Sequence, residues 1–159
     1  MTAYLHIELA TQQLHLIDNH QVLFHSLISS GLNGAGEKKG SGCTPRGWHV
    51  IKAKIGRDCP LNSVFIGRRF TGEIYTPELA AQYPQRDWIL TRILWLGGLQ
   101  PGYNRYGEVD TLRRYIYLHG TPDSEPMGIA RSHGCIRLHN TPLIALFAQV
   151  SIGTRVWIE

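Results

Sequence analysis

Seventeen glycines, scattered along the chain and not gathered into one tract, break this sequence into short segments. A helical bundle needs longer uninterrupted amphipathic runs, so the pattern favours a loop-rich, mostly β fold with short helices. The 159 residues suit a single domain spanning 1–159, able to bury roughly 70% of its unfolded surface. No repeat, linker or low-complexity tract divides it.

Taken in order, residues 4–9, 12–18 and 21–29 read as a meander at a sheet edge, with a turn at Asp18-Asn19. His6, His15, His20 and His25 lie in this meander at no metal-ligand spacing and read as surface or turn residues. Residues 31–47 form a long glycine-rich loop. It lacks the GxxxxGK[ST] phosphate cradle and suits a flap over a cleft. The turn Thr44-Pro45-Arg46-Gly47 leads into a strand, Trp48 to Ile55, with Cys43 and Cys59 as packing cysteines on either side. Residues 63–67 offer another strand, and Thr76-Pro77-Glu78 starts a helix reaching about Tyr83.

Trp88 to Leu96 is a nearly continuous apolar strand broken by Arg92, which reads as facing a cleft or as one half of a structural ion pair. A loop from Gly97 to Asp110 carries Tyr103 and Tyr106. Alternation over Leu112 to His119 assigns Arg114, Ile116 and Leu118 to the core. Arg113, Tyr115, Tyr117 and His119 then form a cleft wall. Thr141-Pro142 caps a helix with Leu143, Leu146, Phe147 and Val150 on its buried stripe; Gly153 ends it, and Arg155 to Glu159 closes the sheet.

The charge excess is a mild +4, with no basic stripe, which argues against a nucleic-acid partner. Scattered arginines suit small carboxylate-bearing substrates better. No stretch reaches the roughly 18 apolar residues of a membrane span. The first basic residue is Lys38, so no secretory signal is expected. Together with three unpaired cysteines, this suggests a cytoplasmic protein, or a periplasmic one if a leader has been removed.

The chemistry concentrates between His119 and Asn140. A histidine ends an apolar strand, a Gly/Pro-punctuated loop follows, and Ser132-His133-Gly134-Cys135 comes next. A thiol becomes a strong nucleophile when an imidazole takes its proton. His119 and His133 are both candidates. His119 is preferred because a strand end holds a ring rigidly, whereas His133 on a tight turn points aside. The carbonyl of Gly120 is placed to orient the ring, and N–H groups at Gly134-Cys135 to hold an oxyanion. Arg137 follows as a carboxylate partner.

At these residues the sequence closely resembles the L,D-transpeptidase catalytic-domain family of the YkuD type. The shared pattern is His119-Gly120 followed after a spacer by Ser132-His133-Gly134-Cys135-Ile136-Arg137. Thr44-Pro45-Arg46-Gly47 and the strand Tyr115-Ile116-Tyr117-Leu118 match as well, so the likeness runs from about residue 4 to the end. It implies a β-sandwich or barrel in which Cys135 is the nucleophile, His119 the base, and Gly120 and Gly134 complete the catalytic set. Ser132, His133, Arg137, Arg92, Tyr117 and Tyr106 are the substrate-binding candidates. Tyr103 or Tyr106 is placed by the likeness to assist the oxyanion.

The implied substrate is a muropeptide or peptidoglycan stem tetrapeptide, cut between the third-position diamino acid and D-Ala through a thioester. Carbapenems are implied as covalent inhibitors, and neither metal nor cofactor is needed. Without an export signal, an L,D-carboxypeptidase that trims recycled tetrapeptides is preferred over a transpeptidase making 3→3 cross-links or exchanging D-amino acids. Two readings of other classes are a zinc site on His119, His133, Cys135 and His139, and a non-catalytic wall-binding module.

Overall fold

A computed structural model describes residues 3–159; the first two positions of the N-terminal segment read for export lie outside it. The meander is formed by β1 (Tyr4–Glu8), β2 (Gln13–Asp18) and β3 (Gln21–Leu27). The β2–β3 turn falls at Asn19-His20, one residue later than the sequence suggests, because both residues take positive φ (48° and 66°). That is the pair of left-handed conformations a two-residue hairpin turn requires.

The remaining strands are β4 (Gly47–Ile55), β5 (Ser63–Ile66), β6 (Arg69–Ile74), β7 (Ile89–Gly98), β8 (Tyr117–Gly120), β9 (Ile136–Leu138) and β10 (Arg155–Ile158). Two helices accompany them, α1 (Pro77–Gln82) and α2 (Asn140–Gln149). All ten strands join one sheet. Its path runs β3-β2-β1-β10-β4-β7; β5 and β6 continue alongside the first half of β7, and β8 then β9 lie on its other side. Just past β3, Ser29 exchanges two main-chain hydrogen bonds of 2.9 Å with Arg137 of β9. This bridge brings the two ends of the path together around one core, as in a barrel.

Period-two alternation explains the core. Leu5 and Ile7 of β1, Leu14 and Leu16 of β2, Leu94 and Leu96 of β7, and Leu118 of β8 are fully or almost fully buried in one cluster. Helix α2 adds Leu143, Leu146 and Phe147 from one stripe. A second, smaller cluster holds Phe65, Ile93 and Tyr117, with Trp95 and Cys135 packed against it. Leu118 therefore belongs to the core, while its neighbour Tyr117 faces the site.

Three local expectations are corrected. The strand read over Leu112 to His119 exists only from Tyr117; residues 111–115 form turns. The Asp110 carboxylate organises them by accepting from the Arg113 and Tyr106 N–H groups, which competes with an extended ladder. Arg114 accordingly leaves the core face and donates to the carbonyls of Gly36 and Cys43. The strand expected at 63–67 is present as β5, and it is half of a hairpin whose turn, Gly67-Arg68, again carries two positive φ values (56° and 63°). Helix α2 starts at Asn140, with His139 at its N-cap and no side-chain cap, so Thr141-Pro142 lies inside its first turn.

Candidate active site

β8 and β9 pair in parallel with His119 opposite Arg137 and Leu118 opposite Ile136. In that register Tyr117 and His119 of β8 share one sheet face with Cys135 and Arg137, while Leu118, Ile136 and Leu138 turn into the core. His119 on β8 and Cys135, just before β9, are thus diagonal neighbours across the pair, at a spacing long side chains bridge. Sixteen positions separate them in sequence, and strand pairing brings them to one face.

His119 is 1% exposed. Its Nδ1 lies 2.6 Å from the Gly120 carbonyl oxygen. A carbonyl only accepts, so Nδ1 carries the proton and Nε2 presents a lone pair. Burial pushes the imidazole below its ordinary range, against the hydrogen bond to Gly120 and the charge of Asp87, which both raise it; Arg137 adds to the lowering. The ring is therefore a neutral base at pH 7.

Gly120 cannot be replaced without disturbance. A Cβ there would stand 2.1 Å from Asn140 Oδ1 and 2.6 Å from the Leu90 carbonyl oxygen. Asn140, 2% exposed, accepts from Thr91 Oγ1 and donates to Asn62 Oδ1 and the Thr121 carbonyl. This buried network holds the backbone beneath the histidine. Nothing in the sequence around Asn140 signals it.

The Cys135 thiol accepts from the Tyr117 N–H and donates to the Tyr115 carbonyl, both at 3.3 Å. Burial pushes it up to about 12; Asp87 raises it too, while the Tyr117 N–H, Arg137 and Arg114 pull it down. Burial outweighs the lowering contributions, which favours the thiol over a preformed thiolate.

The turn carrying the cysteine is tightly held. Thr44 Oγ1 accepts from the Gly31 N–H at 2.8 Å and donates to the Gly134 carbonyl at 2.9 Å. Gly134 has φ +126°, and a Cβ there would approach the Cys43 carbonyl oxygen to 3.1 Å. The glycine-rich loop thus buttresses the turn through Thr44 and Cys43, and is not a flap standing clear of it. Ser132, 2% exposed, donates to the Cys135 carbonyl and accepts from the Gly134 N–H. Two expectations change accordingly. Ser132 braces the turn from inside instead of lining the cleft, and the Gly134 N–H is engaged by it. The Cys135 N–H remains as the turn's candidate oxyanion donor.

Of the other candidates, Tyr117 lies at the site, 5% exposed, with its hydroxyl accepting from Arg68 Nη1 at 3.0 Å. Arg68, missed in the sequence because its hairpin was missed, also stacks on Trp95 and Tyr115. Arg137 and His133 line one cavity of about 360 Å³, together with Arg86, Asp87, Glu125 and Arg131. Asp87, also missed, accepts from Arg137 Nη2 at 3.0 Å and stands 3.3 Å from His133 Nδ1.

Arg92 lies elsewhere. It lines a different cavity, with Lys54 and Phe147, and donates to the carbonyls of Cys59 and Thr91. Tyr106 is 57% exposed on an outer loop against Arg105, and Tyr103 stands over Gly47. Neither tyrosine is a partner of Cys135; Tyr115 and Tyr117 are, through their backbone.

The zinc reading finds no donor cluster. His119 is turned to Gly120, His133 to Asp87 and His139 to the Glu125 carbonyl. Among the described residues the sole group of three potential ligands is His6, Glu8 and Glu159, on β1 and just past the end of β10.

A β-sheet platform that brings a thiol and a neutral imidazole with a fixed tautomer to one face makes a candidate cysteine–histidine site. The profile of the L,D-transpeptidase catalytic domain (YkuD) matches residues 2–158, and the chain belongs to that family. It is 32% identical over 108 residues to a probable L,D-transpeptidase, YbiS, of Escherichia coli, covering 65% of this chain and 34% of that protein. The chain thus spans about a third of the length of that relative. Two solved structures share the fold. An L,D-transpeptidase of Xylanimonas cellulosilytica has TM-score 0.56 at 22% identity, covering 99% of this chain and 60% of that one. The LD transpeptidase LdtMt1 in complex with imipenem has TM-score 0.57 at 16% identity, covering 99% and 59%.

Proposed function

We propose that this domain cleaves the L,D bond between the third-position diamino acid and D-Ala of peptidoglycan stem peptides, through a thioester on Cys135. The observation that carries the reading is the shared face of β8 and β9, which sets Cys135 beside a histidine whose Nε2 lone pair is fixed by Gly120. As sulfur attacks the carbonyl carbon, His119 Nε2 takes the thiol proton. The carbonyl oxygen becomes an oxyanion beside the Cys135 N–H. Collapse breaks the C–N bond, His119 returns the proton to the leaving amine, and D-Ala departs. Water, activated by the same nitrogen, then releases a tripeptide, which is the L,D-carboxypeptidase course. An amine in place of water gives a transpeptide or an exchanged D-amino acid.

The raised thiol pKa supports a coupled proton transfer over attack by a standing thiolate. Imipenem on a relative of the same fold supports a β-lactam as a second acylating agent. Incubation with a disaccharide-tetrapeptide, with and without glycine, tests the reading. Tripeptide alone marks hydrolysis, and a glycine-terminated product marks transfer. No D-Ala release from either incubation rejects it.

A further inference from the structure

A cavity of about 280 Å³ opens where the end of β4, the turn after it and the first half of β7 meet helix α2. Ile144, Phe147 and Ala148 of α2 form its apolar wall, and Lys54, Arg57, Arg92 and Asp58 supply its charge. Among the described residues none of these four charged groups stands in an ion pair. Two of the cations are nonetheless fixed in place. Lys54 Nζ donates to the carbonyls of Phe147 and Val150 at 2.6 and 2.7 Å and stands 4.4 Å over the Phe147 ring. Arg92 Nη1 donates to the carbonyls of Cys59 and Thr91 at 2.9 and 2.6 Å. Each holds donors in reserve: Lys54 a third N–H, and Arg92 its Nε and Nη2. Arg137 Nε is the sole buried side-chain donor without a partner among the described residues, so the spare nitrogens of Arg92 are open to solvent. Arg57 is exposed, with its whole guanidinium uncommitted.

Three positive charges less one negative leave the cavity with two in excess. Burial lowers the Lys54 ammonium below its ordinary range, and the charge of Arg57 lowers it further. A carboxylate offsets one of the two charges. A phosphate monoester, doubly charged above its second pKa of about 6, offsets both and brings several strong acceptor oxygens. We infer that this cavity binds a phosphate monoester, its oxygens on Lys54, Arg57 and Arg92 and its organic body against Ile144, Phe147 and Ala148. Arginine forks and a lysine point charge are the side chains suited to a phosphoryl group. The inference is independent of the acyl-transfer reading, and its test uses neither Cys135 nor His119. Two sources carry this chemistry, a soluble ester and the head group of a phospholipid such as phosphatidic acid.

Titration of the ¹⁵N-labelled protein with phenyl phosphate, with benzoate as the singly charged control, tests it. Saturable amide shifts are expected around Lys54 to Asp58, at Arg92 and along Ile144 to Ala148. Affinity is expected to fall several-fold from about pH 8 to about pH 5, where the ester keeps one charge, and to be several-fold lower for benzoate. Arg57→Gln, at an exposed and unpartnered position, is expected to weaken binding about tenfold, the worth of one charge-assisted hydrogen bond. Asp58→Asn removes the one opposing charge and is expected to strengthen binding several-fold; asparagine tolerates the φ of 66° at that position, so the fold is kept. Co-sedimentation with phosphatidylcholine vesicles containing phosphatidic acid, and not with phosphatidylcholine alone, would assign the site to a lipid head group. Binding of phenyl phosphate without co-sedimentation would assign it to a soluble ester. Absence of saturable shifts, equal affinity for benzoate, or affinity indifferent to both substitutions overturns the site.

Discussion

The main-chain N–H of Tyr117 points at the Sγ of Cys135 from 3.3 Å, across the start of the parallel β8–β9 pair. A donor aimed at sulfur favours the thiolate, and here it works against burial that favours the thiol. Burial prevails, which favours proton loss in step with attack in the proposed mechanism. In that mechanism the N–H contributes when negative charge gathers on sulfur, and His119 takes the proton.

A thiol held up to about 12 stays protonated throughout the neutral range. Its alkylation by iodoacetamide is expected to be slow at pH 7 and to keep climbing up to pH 9. A rate that levels off between pH 6 and 8 would show a preformed ion pair with His119.

His119→Gln keeps a donor toward Gly120 but removes the basic nitrogen. D-Ala release is expected to fall about 10²–10⁴-fold, the usual worth of a positioned base. Melting temperature should change little, because the amide fills most of the ring's space. Activity within threefold of the parent would assign the base elsewhere.

Thr44 is fully buried and joins the glycine-rich loop to the catalytic turn through Gly31 and Gly134. Thr44→Val leaves both main-chain groups without their partner, at a cost of about 2–4 kcal/mol in urea unfolding. Thr44→Ser retains the hydroxyl and is expected to recover most of the loss. A valine variant as stable as the parent would mean the loop does not support the turn.

His49 is fully buried between the Gly47 carbonyl, which accepts from Nδ1–H, and Thr111 Oγ1, which donates to Nε2. Burial lowers it from 6.5 to about 4. Between those values the unfolded chain binds a proton that the folded one does not. Stability is therefore complete above about pH 6.5 and declines as pH falls toward 4. The decline is about 3 kcal/mol from this residue. Buried His119 acts in the same direction. His49→Gln should flatten the pH dependence of the urea midpoint over that window, and an unchanged slope would exclude the assignment.

Much of the frame was legible because β-strands betray themselves by alternation. β1, β2 and β10 bury every second residue for most of their length, as does the first half of β4, while β7 shows itself as a nearly continuous apolar run. The hairpin turn at Gly67-Arg68 was missed because Gly-Arg is a weak turn signal and β6 is largely exposed. The strand at Leu112 was over-extended because Asp110, a local side-chain competitor for the backbone, does not disturb the alternation of apolar letters.

Local chemistry determined, from the sequence alone, that a thiol on a glycine turn and a histidine at a strand end form the reactive pair's candidates. Which groups surround them was decided only in three dimensions. Asp87 reaches Arg137 and His133 from the approach to β7, Arg68 reaches Tyr117 from a hairpin tip, and Asn140 supports Gly120 from a helix start. Arg92, one of the arginines singled out in the sequence, is carried to another cavity. A side chain's residue type and spacing describe what it is able to do. Its partners are set by the register between strands and by the folding of loops onto them, and those depend on packing across the whole sheet.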